Sequence, residues 1–396
     1  MKKIAIIGKG TSSIVTAMTC LNRGHEIHIY SDPDTPYLSV GESTTPPLAS
    51  LILKTFDLCI GDLLDKKIVS YKSGIKFINW GVGKDFLHHF ATNRNALHFE
   101  SGIFNPFMHN LLKDKGVVYF EEKVNGFEVS DNVIHMNDRT YDFVVSCVGW
   151  DNNQNYLEPM IETVNAGILY KENGVNDPTY TLHRATKHGW QFGLPFPQDN
   201  VTKCGYLFNS KIYNPEEVYK EIEDKNHSQY ASDIDKIISW KPKFSSRIIE
   251  NRYHAYNGNR LFFLEPLQAL SVHYYVEFAG LICDYLDDPK QESFEVANNT
   301  YLRKMFEYQI SIAWHYSYGS IHKSEYWKQI TEKAKYILSL HPLYSLDSLL
   351  RQYYHDSSWK ESNSFKIGVF EYKDFRSVHN GMTGTDIDEL KNFSFY

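Results

Sequence analysis

Along the first thirty residues the hydrophobic pattern changes period twice. Lys3–Ile7 is apolar at consecutive positions and rich in isoleucine, as a strand buried on both faces requires. Gly8-Lys9-Gly10-Thr11-Ser12-Ser13 follows. Ile14, Val15, Ala17, Met18 and Leu21 then recur at helical spacing, and Gly24 marks the helix end. Glu26–Tyr30 returns to a strand pattern. Strand, glycine turn, helix and strand make a βαβ unit of the length that binds a dinucleotide. Gly8 and Gly10 let the backbone approach a pyrophosphate at a helix N-terminus, whose N–H groups and dipole favour negative charge. Ser13 stands where G-x-G-x-x-G has its third glycine, and it is small enough for close helix–strand packing. Ser31, followed by Asp32, ends the second strand where a ribose-binding acid is expected.

Further along, Tyr141-Asp142-Phe143-Val144-Val145-Ser146-Cys147-Val148-Gly149 reads as a buried strand ending at a glycine, an arrangement common beside the dinucleotide of two-domain flavoproteins. Spacing alone does not choose between FAD and NAD. Residues 70–80 alternate as one strand, with Lys72 and Lys76 on one face and Ile75 and Phe77 opposite.

Composition narrows the class. With 396 residues the chain can bury a core in more than one lobe, and its 42% hydrophobic and 22% charged residues are those of an ordinary globular protein. The net charge of −7 gives a nucleic-acid surface no general support. No apolar run approaches the ~20 residues of a membrane span. Gly8-Lys9-Gly10 interrupts the N-terminal apolar run too early for a signal peptide. Cys20, Cys59, Cys147, Cys204 and Cys283 are scattered, which argues against a zinc site or a disulfide framework and suits a reducing cytoplasm. His88 and His89 point apart on a strand and have no third ligand at suitable spacing, so no metal is expected.

Five segments, in order, give the chain a family resemblance. Val40-Gly41-Glu42-Ser43-Thr44-Thr45-Pro46 resembles the VGE[AS]TxP loop of flavin-dependent, tryptophan-type halogenases. Ser70-Tyr71-Lys72-Ser73-Gly74-Ile75-Lys76-Phe77-Ile78-Asn79-Trp80 resembles the segment carrying the catalytic lysine, which falls on Lys72. His188-Gly189-Trp190-Gln191-Phe192-Gly193-Leu194-Pro195 resembles WxWxIP, with Phe192 and Leu194 in place of Trp and Ile. Leu261-Phe262-Phe263-Leu264-Glu265-Pro266-Leu267-Gln268-Ala269-Leu270-Ser271-Val272 resembles FIEPLESTGI, preceded by a shortened glycine stretch, Asn257-Gly258-Asn259-Arg260. Residues 313–327 resemble the C-terminal helix pair with its HY and FW aromatics. The resemblance covers roughly residues 1–330.

The resemblance implies an α/β fold, with an FAD-binding Rossmann-like core of the GR2 flavoprotein type and a mostly helical substrate lobe. Residues 1–60, about 100–150 and 250–290 are then the FAD module, and 61–99, 151–249 and 291–396 the substrate-binding portions. Gly8, Gly10, Thr11, Ser12, Ser13, Ser31, Asp32, Val40, Gly41, Glu42, Ser43, Thr44 and Val272 are the implied cofactor contacts. The halide falls to the backbone amides of Leu270 and Ser271, and substrate and tunnel to Trp190, Phe192, Pro195, Tyr316, His322, Tyr326 and Trp327. In the implied reaction a separate flavin reductase supplies FADH2, O2 and halide give hypohalous acid, and the lysine presents the halogen to an electron-rich aromatic ring.

Two departures qualify this. Gln268 replaces the glutamate that works opposite the lysine, and an amide orients but is no base near neutral pH. His322 replaces the carboxylate that grips the tryptophan ammonium, which argues against free tryptophan as substrate. The rival readings are an FAD-dependent monooxygenase, disfavoured because no second NAD(P)H fingerprint is seen, and a non-catalytic flavin-binding descendant. The Lys/Asn/Ile/Tyr-rich composition suits a phage or low-GC bacterial source, and a homo-oligomer is compatible with the sequence.

Overall fold

A computed structural model of the chain describes residues 1–35, 41–90, 95–151, 154–225, 234–358 and 366–388. It divides into two compact units, one of residues 1–72, 95–158 and 242–303 and one of residues 73–94, 159–241 and 304–396.

The first unit is built on the βαβ unit that the hydrophobic pattern predicts. β1 (Lys3–Ile7), α1 (Thr11–Leu21) and β2 (Glu26–Tyr30) follow in order. β1 pairs in parallel with β2 on one side and with strand Phe143–Ser146 on the other. Val118–Phe120 continues the sheet beyond β2 and His254–Tyr256 beyond Phe143–Ser146, both in parallel; Ile249–Asn251 adds an antiparallel edge. A parallel sheet is covered on both faces, which is why Ile4, Ala5, Ile6, Val144 and Val145 are all fully buried. α1 buries Ile14, Val15, Ala17 and Met18 and packs on helix Leu270–Asp287. There Cys20 and Cys283, both free thiols, meet with their sulfurs 3.3 Å apart.

The chain then runs through β3 (Gly41–Ser43), α2 (Pro46–Phe56), α3 (Ile60–Asp65), β4 (Val69–Lys72), β5 (Gly74–Ile78), β6 (Phe86–His89), β7 (Ala96–Glu100) and α4 (Ser101–Asp114). β3, β7 and β4 form a three-stranded antiparallel sheet in the first unit. Residues 70–80 are therefore not one strand, as their alternation suggests, but two that belong to different sheets and different units. The break falls at Ser73, whose N–H bonds the Thr179 carbonyl and whose carbonyl accepts from Phe90. Gly74 lies so close to β6 that a Cβ there would sit 2.3 Å from the His88 carbonyl oxygen. Lys72 and Lys76 thus share no face, and Lys76 pairs with Asp177 at 2.8 Å.

The second unit holds a seven-stranded sheet in the order Ile234–Ser239, Ala166–Asn173, Val201–Phe208, Gly189–Phe196, Tyr180–Ala185, β5, β6, antiparallel except between Tyr180–Ala185 and β5. Helices Glu325–Leu340, Leu346–Ser358 and Tyr372–Thr383 accompany it. Charged residues such as Lys171, Glu172 and Lys203 within its strands mask the alternation, so the helices are more legible in the sequence than the sheet. Among the described residues, no helix is long and apolar enough to cross a membrane.

Candidate functional site

The turn after β1 has the geometry its glycines suggest. Gly8 has φ +127°, and a Cβ on it would lie 2.8 Å from the Cys147 carbonyl oxygen at the end of the neighbouring strand; only glycine fits. A Cβ on Gly10 would meet nothing within 4 Å, so space is open at the head of α1. The Gly10 carbonyl accepts from the Ser13 N–H (3.0 Å) and hydroxyl (2.7 Å), and Ser12 and Ser13 are buried beneath it. A Cβ on Gly258 would sit 2.1 Å from the Ser12 hydroxyl oxygen, so this glycine closes on the turn from the opposite side. Asn257 before it is fully buried and donates to Thr16 and to the Tyr275 carbonyl, both at 3.0 Å. In the sequence this stretch shows as a shortened loop, and its signal is an asparagine–glycine pair after a strand. At the end of β2, the Ser31 N–H bonds the Phe120 carbonyl at 2.9 Å, and the Asp32 carboxylate accepts from the Asp34 N–H and lies 3.9 Å from Lys123. An open head of α1 over a glycine turn, at the carboxyl edge of a parallel sheet, fits a dinucleotide diphosphate.

The loop at residues 40–46 crosses this edge. Val40 lies outside the described residues. From Gly41 the chain forms β3, and Glu42 turns its carboxylate to Thr11 (3.1 and 3.2 Å) and Ser101 (2.5 Å), two hydroxyls that donate to it. Burial holds the Glu42 carboxyl above the usual carboxylate range, and those two hydroxyls oppose the shift. Thr44 is locked by exchange with Leu97, its N–H to the Leu97 carbonyl and its hydroxyl accepting the Leu97 N–H, each at 2.9 Å.

Lys72 ends β4 and is wholly buried. Its Nζ donates to the Ser43 hydroxyl at 2.6 Å and the Thr44 carbonyl at 2.9 Å. Burial lowers its pKa to about 7. His98, which the sequence reading did not single out, stands opposite Ser43 on one side and Ser70 on the other in the sheet register, and is also fully buried. Burial first, and then the Lys72 charge, hold His98 well below its ordinary value, opposed by its bond to the Tyr71 backbone. The Thr45 hydroxyl then meets His273 Nδ1 at 2.9 Å, joining the loop to the first turn of helix Leu270–Asp287. Gln268 (φ 60°) and Ala269 (φ 59°) both adopt the left-handed conformation before that helix, although neither is glycine. This double turn sets Leu270, Ser271 and Val272 in the first turn, where backbone N–H groups lack intrahelical acceptors. The Ser271 hydroxyl oxygen is buried with no hydrogen-bond partner among the described residues. Lys72, the Glu42–Thr45 loop and the head of this helix are thus brought together within the first unit.

The predicted substrate and tunnel residues all belong to the second unit. Trp190, Tyr316, Tyr326 and Trp327 are buried; Tyr316 and Tyr326 pack on Trp327, and Trp190, Tyr316 and Trp327 pack on Trp80, which in the sequence only ends a motif. Trp80 contacts Trp327 at 5.1 Å, Tyr316 at 5.4 Å and Trp190 at 6.2 Å between ring centroids, all edge-on. Phe192 follows Trp190 by two on the strand, and its ring lies across Gly205 opposite, where a Cβ would be 2.3 Å away. Pro195 is buried near the end of the same strand. His322 Nε2 bonds the Ala185 carbonyl at 3.1 Å, and the Trp327 indole N–H bonds the next carbonyl, Thr186, at 2.7 Å.

The fold and glycine turn define an α/β flavoprotein-type enzyme. The tryptophan halogenase family model matches residues 3–96 and 91–363, and the chain belongs to that family of flavin-dependent enzymes. No curated protein sequence matches the chain. Among solved structures it is similar to a tryptophan halogenase from Shewanella frigidimarina NCIMB 400, with a TM-score of 0.80, 16% identity, and 97% of this chain and 89% of that one covered. It is similar also to BrvH, a flavin-dependent halogenase from Brevundimonas sp. BAL3 (TM-score 0.77, 16% identity, 98% and 92% covered). A third is a tryptophan 6-halogenase, SttH, from Streptomyces toxytricini (TM-score 0.78, 15% identity, 96% and 90% covered).

Proposed function

We propose that this chain is an FADH2-dependent halogenase that uses O2 and halide, bromide or iodide in preference to chloride, to halogenate electron-rich aromatic or indole-type small molecules. The observation that carries the reading is Lys72, a fully buried amine with a pKa near 7, held by two bonds to the loop at 43–44. When bound, reduced FAD, supplied by a separate reductase in the cytoplasm, provides the electrons that activate O2. The turn at Gly8–Ser13 and the loop at 41–44 hold and orient it. The amides of Leu270 and Ser271, at a helix head with favourable dipole, receive the halide. Lys72 receives hypohalous acid. Its neutral form attacks the halogen of hypohalous acid through the lone pair; the displaced hydroxide takes one amine proton and leaves as water, and the remaining N–H keeps the Ser43 and Thr44 oxygens as acceptors. Gln268 orients through its amide. Within the second unit, the apolar residues Trp190, Phe192, Pro195, Tyr316, Tyr326 and Trp327 receive the aromatic substrate.

Below about 7 Lys72 is an ammonium without a lone pair, so halogen transfer rises through pH 7 and levels above it. A rate that falls through this range contradicts the amine role. Halide choice gives a second test. Without a carboxylate at 268, activation is weaker, and chloride, the hardest of the three halides to oxidise, loses most. At equal halide concentrations brominated or iodinated product predominates, and Gln268→Glu raises the chlorinated share; predominant chlorination by the natural chain contradicts the proposal. Free tryptophan is a poor substrate, because His322 gives its ammonium no carboxylate and losing such a bond costs about 1.5–3 kcal/mol. Steady-state kinetics with tryptophan against neutral indoles and phenols checks this, and clearly better turnover of tryptophan contradicts it.

A further inference from the structure

The first unit holds a second, half-buried ionisable group that the lysine chemistry does not use. Glu42 projects from β3 on the face opposite Ser43, and its carboxylate is bonded by Thr11, the first residue of α1, and by Ser101, the first residue of α4. A carboxylate between two helix heads is favoured by both dipoles, and it occupies the place beside α1 to which a diphosphate is drawn. No basic side chain pairs with Glu42 among the described residues; its partners are uncharged hydroxyls. We propose that Glu42 takes up a proton when the dinucleotide binds, so that the affinity for flavin is coupled to pH through the loop at 41–44.

This rests on the reading that the glycine turn binds FAD. A diphosphate adds negative charge beside a half-buried carboxyl, and like charge favours the neutral acid. Burial already biases Glu42 in that direction. The surroundings can follow the change: Asn105 Oδ1, 3.3 Å from the Thr11 hydroxyl, gives that hydroxyl another acceptor once the carboxyl is protonated. The other groups facing the site do not supply the proton linkage. Lys9 extends to the Asp32 carbonyl. His109, one turn along α4 from Asn105, is held below its ordinary value by burial and is bonded to the Lys9 carbonyl and the Tyr119 hydroxyl. The Tyr275 phenol is held high, by burial first and then by Glu42 itself. Lys72 and His98 lie on the other face of the small sheet, and of these only Lys72 titrates near neutrality.

Titration of oxidised FAD into the full chain, followed by flavin fluorescence from about pH 5.5 to about 8.5, tests the coupling. Calorimetry in two buffers of different ionisation enthalpy counts the protons. The natural chain is expected to lose affinity as pH rises, by up to about tenfold per unit, and to take up to one proton on binding. Glu42→Gln, which keeps an acceptor oxygen for the two hydroxyls, is expected to bind with no such slope, to take up no proton through this site, and to bind more tightly than the natural chain at the upper end of the range. Ser101→Ala keeps the carboxyl but removes a donor to its charged form, so the slope is expected to shift to higher pH; this variant decides if Glu42→Gln does not fold. Lys72→Met separates the two titrating groups: the slope persists if Glu42 is its source and vanishes if Lys72 is. An unchanged slope in Glu42→Gln, a parallel loss of affinity at every pH, or a slope that vanishes with Lys72→Met overturns the inference while leaving FAD binding established. No FAD binding by the natural chain at any pH overturns the flavin reading and the inference with it.

Discussion

Lys72→Met is expected to reduce aromatic halogenation by at least about a hundredfold while FAD still binds and reduced flavin is still consumed. Methionine keeps the length and apolar stem of the buried side chain and removes only the nitrogen. The lost bonds include those to Ser43 and Thr44, and Thr44 remains tied to Leu97 at its N–H and its hydroxyl. The loop therefore keeps its place, and the Leu270 and Ser271 amides, proposed to hold the halide, belong to a different element. Hypohalous acid then leaves the protein unguided and reacts with an added scavenger. Product analysis with and without the scavenger separates the two steps. Undiminished aromatic halogenation by the methionine variant contradicts the role assigned to Lys72, and loss of FAD binding shows that the lysine is part of the cofactor site instead.

Trp80→Ala is expected to lower stability by about 3–5 kcal/mol. Trp80 is wholly buried, and its ring meets Phe77, Trp190, Tyr316 and Trp327 edge-on. Removing it leaves a cavity among four large side chains that have little freedom to close it, because Trp190 and Phe77 sit on strands and Tyr316 and Trp327 on helices. In thermal unfolding the second unit's transition is expected to fall by on the order of 10 °C. A fall of only about 2 °C contradicts a tightly packed cluster and favours rings that line open space.

The parts of this molecule that were legible in the sequence are those whose physics is local. An apolar run ending in Gly8-Lys9-Gly10 needs no distant partner to announce a strand and a turn, and β1, α1 and β2 fall on the residues the pattern marks. The lysine at 72 was legible through its motif. Its environment was not, since the oxygens it bonds come from residues 43 and 44 and the imidazole beside it from 98, which only the antiparallel register of β3, β7 and β4 brings together. The division of residues 70–80 between two sheets was hidden because Ser73 and Gly74 interrupt the chain without interrupting the alternation. The left-handed pair at Gln268 and Ala269 carries no glycine to signal it. Trp80 and Trp190 each read as single aromatics in a strand, and their contact is set by packing between residues far apart in the chain.

Incubation of the purified full chain with chemically reduced FAD, O2 and a panel of indoles and phenols, with and without bromide, tests the flavin-dependent halogenase most directly. Mass spectrometry of the aromatic products is expected to show bromine incorporated only when halide and reduced flavin are both present, with less product when chloride replaces bromide. Hydroxylated products formed without halide, or consumption of reduced flavin with no halogenated aromatic for any member of the panel, contradict it.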